Sequence, residues 1–223
     1  MTGNWEDLIV STFEIDKKIL EPYLPKGTEI DFFNGKALMS MVAFTFSKVK
    51  FFGLKIPFHQ KFGQINFRFY AKTKTNGTKG VVFIKECAPK PLIATIANIF
   101  YNEPYFYRKI SLKKRVNTNK SIITYSYKNF KIQAKNKQHT HKLKQESIEH
   151  FVVDRYIAFI KTYNKKTIQY KINHRPWDLY NTSSISTNEN ILNLLPHKFK
   201  KAKLISSCFV DGSYVTVGKG KPQ

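Results

Sequence analysis

The residues best placed to do chemistry lie in the run "FGQINFRFY" (62–70). Read as a strand, it puts Ile65, Phe67 and Phe69 on one face and Gln64, Asn66, Arg68 and Tyr70 on the other, because successive side chains point to opposite sides. An amide, a guanidinium and a phenol in one row suit a carboxylate ligand. The guanidinium offers a planar fork to two oxygens, and its neighbours orient the rest. A buried arginine needs an anionic partner. Either the ligand supplies it, or the protein does through Glu86, Glu149 or Asp154. The run also admits a plainer reading, in which its polar face is solvated or Arg68 pairs with Glu86 for structure alone.

Other groups are weaker candidates. "NHRPWDLY" (173–180) sets His174 and Arg175 at a strand end, where binding groups concentrate. His174 then closes the mouth of a site, while Trp177 equally well caps a core. In Asp154-Arg155-Tyr156 the arginine flanks an apolar stripe, so it either reaches the sheet beneath or makes a salt bridge at the rim. His139 and His141 have the spacing of two metal ligands on a strand, but Lys137, Lys142 and Lys144 surround them and repel a cation. No metal is expected. Lys109, Lys113, Lys114, Arg115 and Lys120 follow Tyr105, Phe106 and Tyr107, an interleaving that suits single-stranded nucleic acid, although those aromatics fit a core as well. There is no G-x-S-x-G, no base-flanked cysteine and no phosphate-cradling glycine loop. Hydrolytic catalysis has no support, and no cofactor is expected.

Several elements must position these groups. "IDKKILEPYLP" (15–25) reads as a helical turn closed by Pro22 and Pro25, and 35–51 as a long strand buried on much of both sides. Residues 51–59 form a loop. Asn76-Gly77 marks a hairpin turn returning through the strand 81–86. Helical periodicity is expected at 92–101 and most strongly at 146–163, where Ile148, Phe151, Val152, Tyr156, Phe159, Ile160 and Tyr163 recur at three and four. Strand-like runs fill 105–136, with lysines on the outer face of 121–136. "TIQYKINH" is a strand and "NTSSISTN" a polar loop. Asn188 caps a short helix ended by Pro196, and "AKLISSCFVDGSYVTVG" is a hairpin turning at Asp211-Gly212. About ten strands interspersed with two or three helices, without βαβ regularity, indicate one domain over 1–223. Its expected architecture is mainly β with flanking helices (α+β), an antiparallel curled sheet or barrel.

Composition sets the remaining bounds. With 42% apolar and 15% aromatic residues, the chain can bury a core and is not disordered. The N-terminal stretch carries acids and no apolar signal-peptide core. The longest apolar run, 91–100, is about half of a membrane span. Two distant cysteines, Cys87 and Cys208, fit a reducing compartment. A soluble cytoplasmic protein without a membrane partner is the expectation. The net charge of +23, from 38 basic and 15 acidic residues, attracts polyanions. In an Ile-, Asn- and Lys-rich chain it also fits an AT-rich coding genome, so nucleic-acid binding is a lesser alternative. Nothing in the sequence sets the oligomeric state.

Taken in order, "DKKILEPYLPKGTEIDFFNGKALMSMVAF", "INFRFYAKT…GTKGVVF", "EPYFYRKI", "HFVVDRYIAF", "INHRPW" and "SSCFVDGSYVTV" resemble the YqjF-like family of uncharacterised bacterial proteins over nearly the whole chain. The resemblance implies the fold of acetoacetate decarboxylase, a β-barrel or cone around a small-molecule cavity, with Asn66, Arg68 and Tyr70 facing that cavity. Two departures matter. The family's carboxylate before "N-x-R-x-Y" is Gln64 here. Where the decarboxylases carry a Lys-Lys pair whose first member forms a Schiff base, this chain has Arg108 and Lys109. Arginine stays protonated and forms no imine. The resemblance therefore implies a small organic acid as partner, held by Arg68 with Asn66, Tyr70, Gln64, Glu86, Arg108 and His174. A lyase using Lys109 on a keto acid or aldehyde is the alternative.

Overall fold

The computed structural model describes residues 1–51, 53–55, 60–89, 105–107, 110–118, 120–162, 166–187 and 191–223. Three long antiparallel strands make its centre: β1 (Thr2–Glu14), β3 (Leu38–Phe51) and β5 (Lys61–Thr73). The short helix α1 (Lys17–Leu20), capped by the Asp16 carboxylate on the Lys18 amide, and β2 (Thr28–Ile30) lie between β1 and β3 in the chain. β4 (Leu54–Lys55) turns back on β3. From β5 the chain turns at Asn76-Gly77, with Gly77 at φ +70, into β6 (Lys79–Ala88). That turn needs the left-handed conformation glycine adopts freely.

Beyond β6, β7 (Tyr105–Tyr107), β8 (Ser111–Asn117), β9 (Lys120–Tyr127) and β10 (Phe130–Lys142) lead to helix α2 (Ile148–Val153). β11 (Ile157–Lys161), β12 (Thr167–Asn173), β13 (Asp178–Thr187), β14 (Lys203–Val217) and β15 (Lys221–Pro222) complete the sheet. The fold is mainly β. Its strand order is β15-β12-β11-β6-β5-β3-β1-β14-β13-β10-β9-β8. β12 also pairs with β14 through Ile172↔Val217 and Asn173↔Thr216, so the pairings run in a circuit through β12, β11, β6, β5, β3, β1 and β14.

That circuit separates two cores. Ile65, Phe67 and Phe69 of β5 join Met39, Met41, Phe13 and Phe199 in one. The opposite parity sends Val10, Val42, Phe44 and Tyr70 into the other, with Val152 of α2, Ala158 and Ile160 of β11, Ile172 of β12 and Val210 of β14. Gln64, Asn66 and Arg68 share this second side and are buried.

Several expectations need correction. The sheet is mixed, since β11 and β7 each run parallel to β6. The connection 89–104 is long enough for the crossover that a parallel pair requires. The helix expected over 146–163 ends at Val153, and 157–161 is the strand β11. Asp154 caps α2 at φ −81, ψ 71. Past it, Phe159 enters one core and Ile160 the other, which a helix would have put on one face. The polar loop expected at 181–188 lies mostly in β13 (Asp178–Thr187), where Ser184 pairs with Lys135 and Ile185 with Ala134. The expected C-terminal hairpin is one continuous strand, β14, paired with β1 from Glu14↔Lys203 to Thr2↔Thr216. Gly212, at φ +81, is a glycine within that strand, and any Cβ there would run into the Trp5 carbonyl. The helix expected at 92–101, the Asn188 cap, Tyr163 and most of the loop 51–59 lie outside the described residues.

Candidate functional site

The polar face of β5 is buried, and among the described residues its arginine faces no carboxylate. Arg68 is 6% exposed, and its Nη2 donates to the Val152 carbonyl of α2 at 2.9 Å. It also hydrogen-bonds Tyr70. Among the described residues no carboxylate forms an ion pair with it, and its Nε has no partner. The three acids expected to serve are engaged elsewhere. Glu86 accepts from Gln64 Nε2 at 3.1 Å, Asp154 accepts from the Tyr156 hydroxyl at 2.5 Å, and Glu149 accepts from Ser206 at 2.7 Å.

Register explains what surrounds the guanidinium. Thr12 of β1 lies opposite Ser40 of β3, and Ser40 opposite Arg68. Thr12 and Ser40 hydroxyls are 2.9 Å apart, and Ser40 is 2.6 Å from the Tyr70 hydroxyl. The Tyr70 phenol is pushed up by burial, against a downward pull from the Arg68 charge, so it holds its proton. Two residues back along β5, Asn66 lies opposite Glu86 of β6. Gln64, Asn66 and Glu86 line a hollow of about 30 Å³ with Trp5, Phe44, Phe46, Phe83 and Tyr170. The Trp5 Nε1 and the Asn66 Oδ1 that border it have no partner among the described residues. That space suffices for water. Around it pack the aliphatic and aromatic side chains of the second core.

His174, which the sequence suggested as closing the mouth of a site, is fixed by packing. Its ring lies between Tyr156 and Trp177, with centroids 4.5 and 4.0 Å away. Its Nδ1 is 2.7 Å from the Arg175 carbonyl. Burial holds the imidazole below its ordinary value, with the Arg68 charge adding to the effect. Trp177 is buried and donates to Ser213, in keeping with the capping reading. Arg175 reaches Asp211 at 2.5 Å and fixes the "HRPW" loop against β14. Arg108 and Lys109 lie outside the described residues.

One arrangement was signalled only faintly in the sequence. Arg155 does not sit at a rim: it is buried in an ion pair with Asp31 at 2.8 Å, donates to the Phe151 carbonyl, and lies over the Phe151 and Tyr70 rings. Asp31 is 124 residues away. The one hint was an acid set between Ile30 and Phe32 in an otherwise apolar run.

The fold as a whole is similar to that of solved proteins. An enduracididine biosynthesis enzyme, MppR, solved with pyruvate, superposes with a TM-score of 0.69 at 9% identity, covering 100% of this chain and 90% of that one. Acetoacetate decarboxylase from Legionella pneumophila gives 0.65 at 12% identity, covering 100% and 87%. The fold is thus that of the acetoacetate decarboxylase-like proteins. The profile of DUF2071, a family of uncharacterized conserved proteins, matches residues 2–206, and the chain belongs to that family. The "Uncharacterized protein YqjF" of Bacillus subtilis (strain 168) is 29% identical over 200 residues, covering 84% of this chain and 78% of its own. The resemblance to YqjF-like proteins therefore holds.

Proposed function

We propose that the chain binds a small organic acid within the strand circuit, which we read as a barrel wall, and that Arg68 receives its carboxylate. The observation that carries this reading is the buried guanidinium with no carboxylate beside it among the described residues. A charge in that position is costly until an anion meets it, and a bidentate pair with a carboxylate is the best match to its geometry. Asn66 and Tyr70 extend the row along β5 and orient the remaining ligand atoms; Gln64 and Glu86 close its far end, and His174 bounds the mouth. The hollow of about 30 Å³ is lined by Gln64, Asn66 and Glu86 rather than by Arg68, so the interior must open toward the guanidinium to admit even a three-carbon acid. α2 spans six residues and is held to the site through Val152, which makes it the element to move.

A Schiff-base lyase needs a lysine in the same hollow. Lys109 is outside the described residues, and no lysine is among the buried polar residues that are described. Binding through Arg68 is the reading that the described geometry supports, and pyruvate, found with the structural neighbour MppR, is the first probe. The test is thermal unfolding with pyruvate, acetate and acetoacetate, for the unaltered chain and for Arg68→Met. Stabilisation by at least one acid, lost in the variant, is expected. An equal shift in both proteins, or none in either, would overturn the reading.

A further inference from the structure

The sheet ends in a face that the organic-acid reading does not use. Between residues 104 and 145 the sequence has twelve lysines and arginines and not one aspartate or glutamate. The pairings show where they stand. Lys113 of β8 is level with Thr124 of β9, Gln133 of β10 and Ser186 of β13. The next row is Arg115, Ile122, Lys135 and Ser184, and beyond it Asn117, Lys120 and Lys137. Ser111, Ser126 and Lys131 form the row on the other side.

All these residues share one face. The alternate face carries Tyr125, Ile132, Ile123 and Ala134, which are buried in a core. Lys114, of that inner parity, turns to the Asp7 carboxylate at 2.9 Å and is a structural cation. Lys113, Arg115, Lys120, Lys131, Lys135 and Lys137 are exposed. Alternate residues on a strand are about 6.8 Å apart and neighbouring strands about 4.8 Å, so six exposed cations share this face, with no acid among the described residues of its rows. β8 is the edge of the sheet.

We infer that this face binds the sugar–phosphate backbone of single-stranded nucleic acid. Cations alternate with serine, threonine and glutamine, groups that hydrogen-bond phosphate oxygens. The 6.8 Å repeat is close to the separation of phosphates along an extended strand. No aromatic side chain belongs to these four rows, so bases have no stacking platform and binding is indifferent to sequence. An anionic membrane would use the same charge but also needs apolar side chains to enter the lipid. Ile122 is the only large apolar residue of these rows, and it is half-buried.

Fluorescence anisotropy of a labelled mixed-sequence single-stranded oligonucleotide, titrated with the full chain at several KCl concentrations, tests this. Binding should weaken steeply, with a log–log slope approaching about −4 for six neutralised phosphates. The triple reversal Lys113→Glu, Arg115→Glu, Lys135→Glu should lower affinity at least about tenfold. A control with the same charge change elsewhere, Lys17→Glu, Lys26→Glu, Lys200→Glu, should retain most of it. Equal losses in the two variants would attribute binding to net charge alone and overturn the assignment. Failure to bind at low salt, or binding to phosphatidylserine vesicles in preference to the oligonucleotide, would overturn it as well. The salt slope of the unaltered chain stands as a readout even if a variant fails to fold.

Discussion

Arg68 Nη2 donates to the Val152 carbonyl across 2.9 Å, joining the central strand β5 to the end of helix α2 over 84 residues of chain. The bond gives the arginine one neutral acceptor where a charge would ordinarily have an anion. Replacing it with methionine removes a buried charge of similar bulk, which is often neutral or stabilising, while the Val152 carbonyl loses a donor at a cost of about 1–3 kcal/mol. Arg68→Met should therefore keep its unfolding free energy within about 2 kcal/mol of the unaltered chain. Urea denaturation measures this, and a much larger loss would mean that the arginine holds the fold together.

The Asp31–Arg155 pair should behave in the opposite way. Both side chains are buried and 2.8 Å apart, so Arg155→Met leaves an uncompensated carboxylate and should cost about 3–5 kcal/mol. Adding Asp31→Leu should recover most of that loss. Denaturation of the two singles and the double variant gives the coupling.

Acid should weaken the fold through His174. Burial lowers its value from the ordinary 6.5, so the unfolded chain takes up the proton before the folded chain does. Stability is complete above 6.5 and falls as pH drops from there toward the lower folded value. His174→Phe keeps a ring between Tyr156 and Trp177 and should flatten the acid side of a stability–pH curve. An unchanged curve would assign the acid sensitivity to other groups.

Both thiols should be inert in the native protein. Cys208 is pushed up to about 12, chiefly by burial and secondarily by the Glu149 charge, and Cys87 is also buried. Iodoacetamide at pH 8 should leave both unmodified until denaturant is added. Mass spectrometry reads the result, and rapid labelling of the native chain would contradict it.

The sequence made β5 legible because its period-two pattern separates two kinds of side chain, and each kind found its own interior environment. It made the family legible through motifs spread from Asp16 to Val217. It misled where one pattern served two elements. Ile148, Phe151 and Val152 belong to α2, whereas Phe159 and Ile160 belong to β11, yet their spacing joins smoothly into a helical stripe. Polar Ser184 and Ser186 hid a strand because that strand presents its polar side to solvent, and Asp211-Gly212 imitated a turn inside β14. β1 went unread beneath its polar start, although it pairs with both β3 and β14. The partner of Arg155 was illegible for a different reason: the pair exists only after strands distant in sequence have come together.

The central claim is tested most directly by crystals soaked in pyruvate. The account predicts density for the acid inside the strand circuit, its carboxylate oxygens about 2.7–2.9 Å from the Arg68 guanidinium, with α2 displaced to make room. Density confined to surface lysines, or an interior unchanged with Arg68 still bonded only to Val152 and Tyr70, would contradict it.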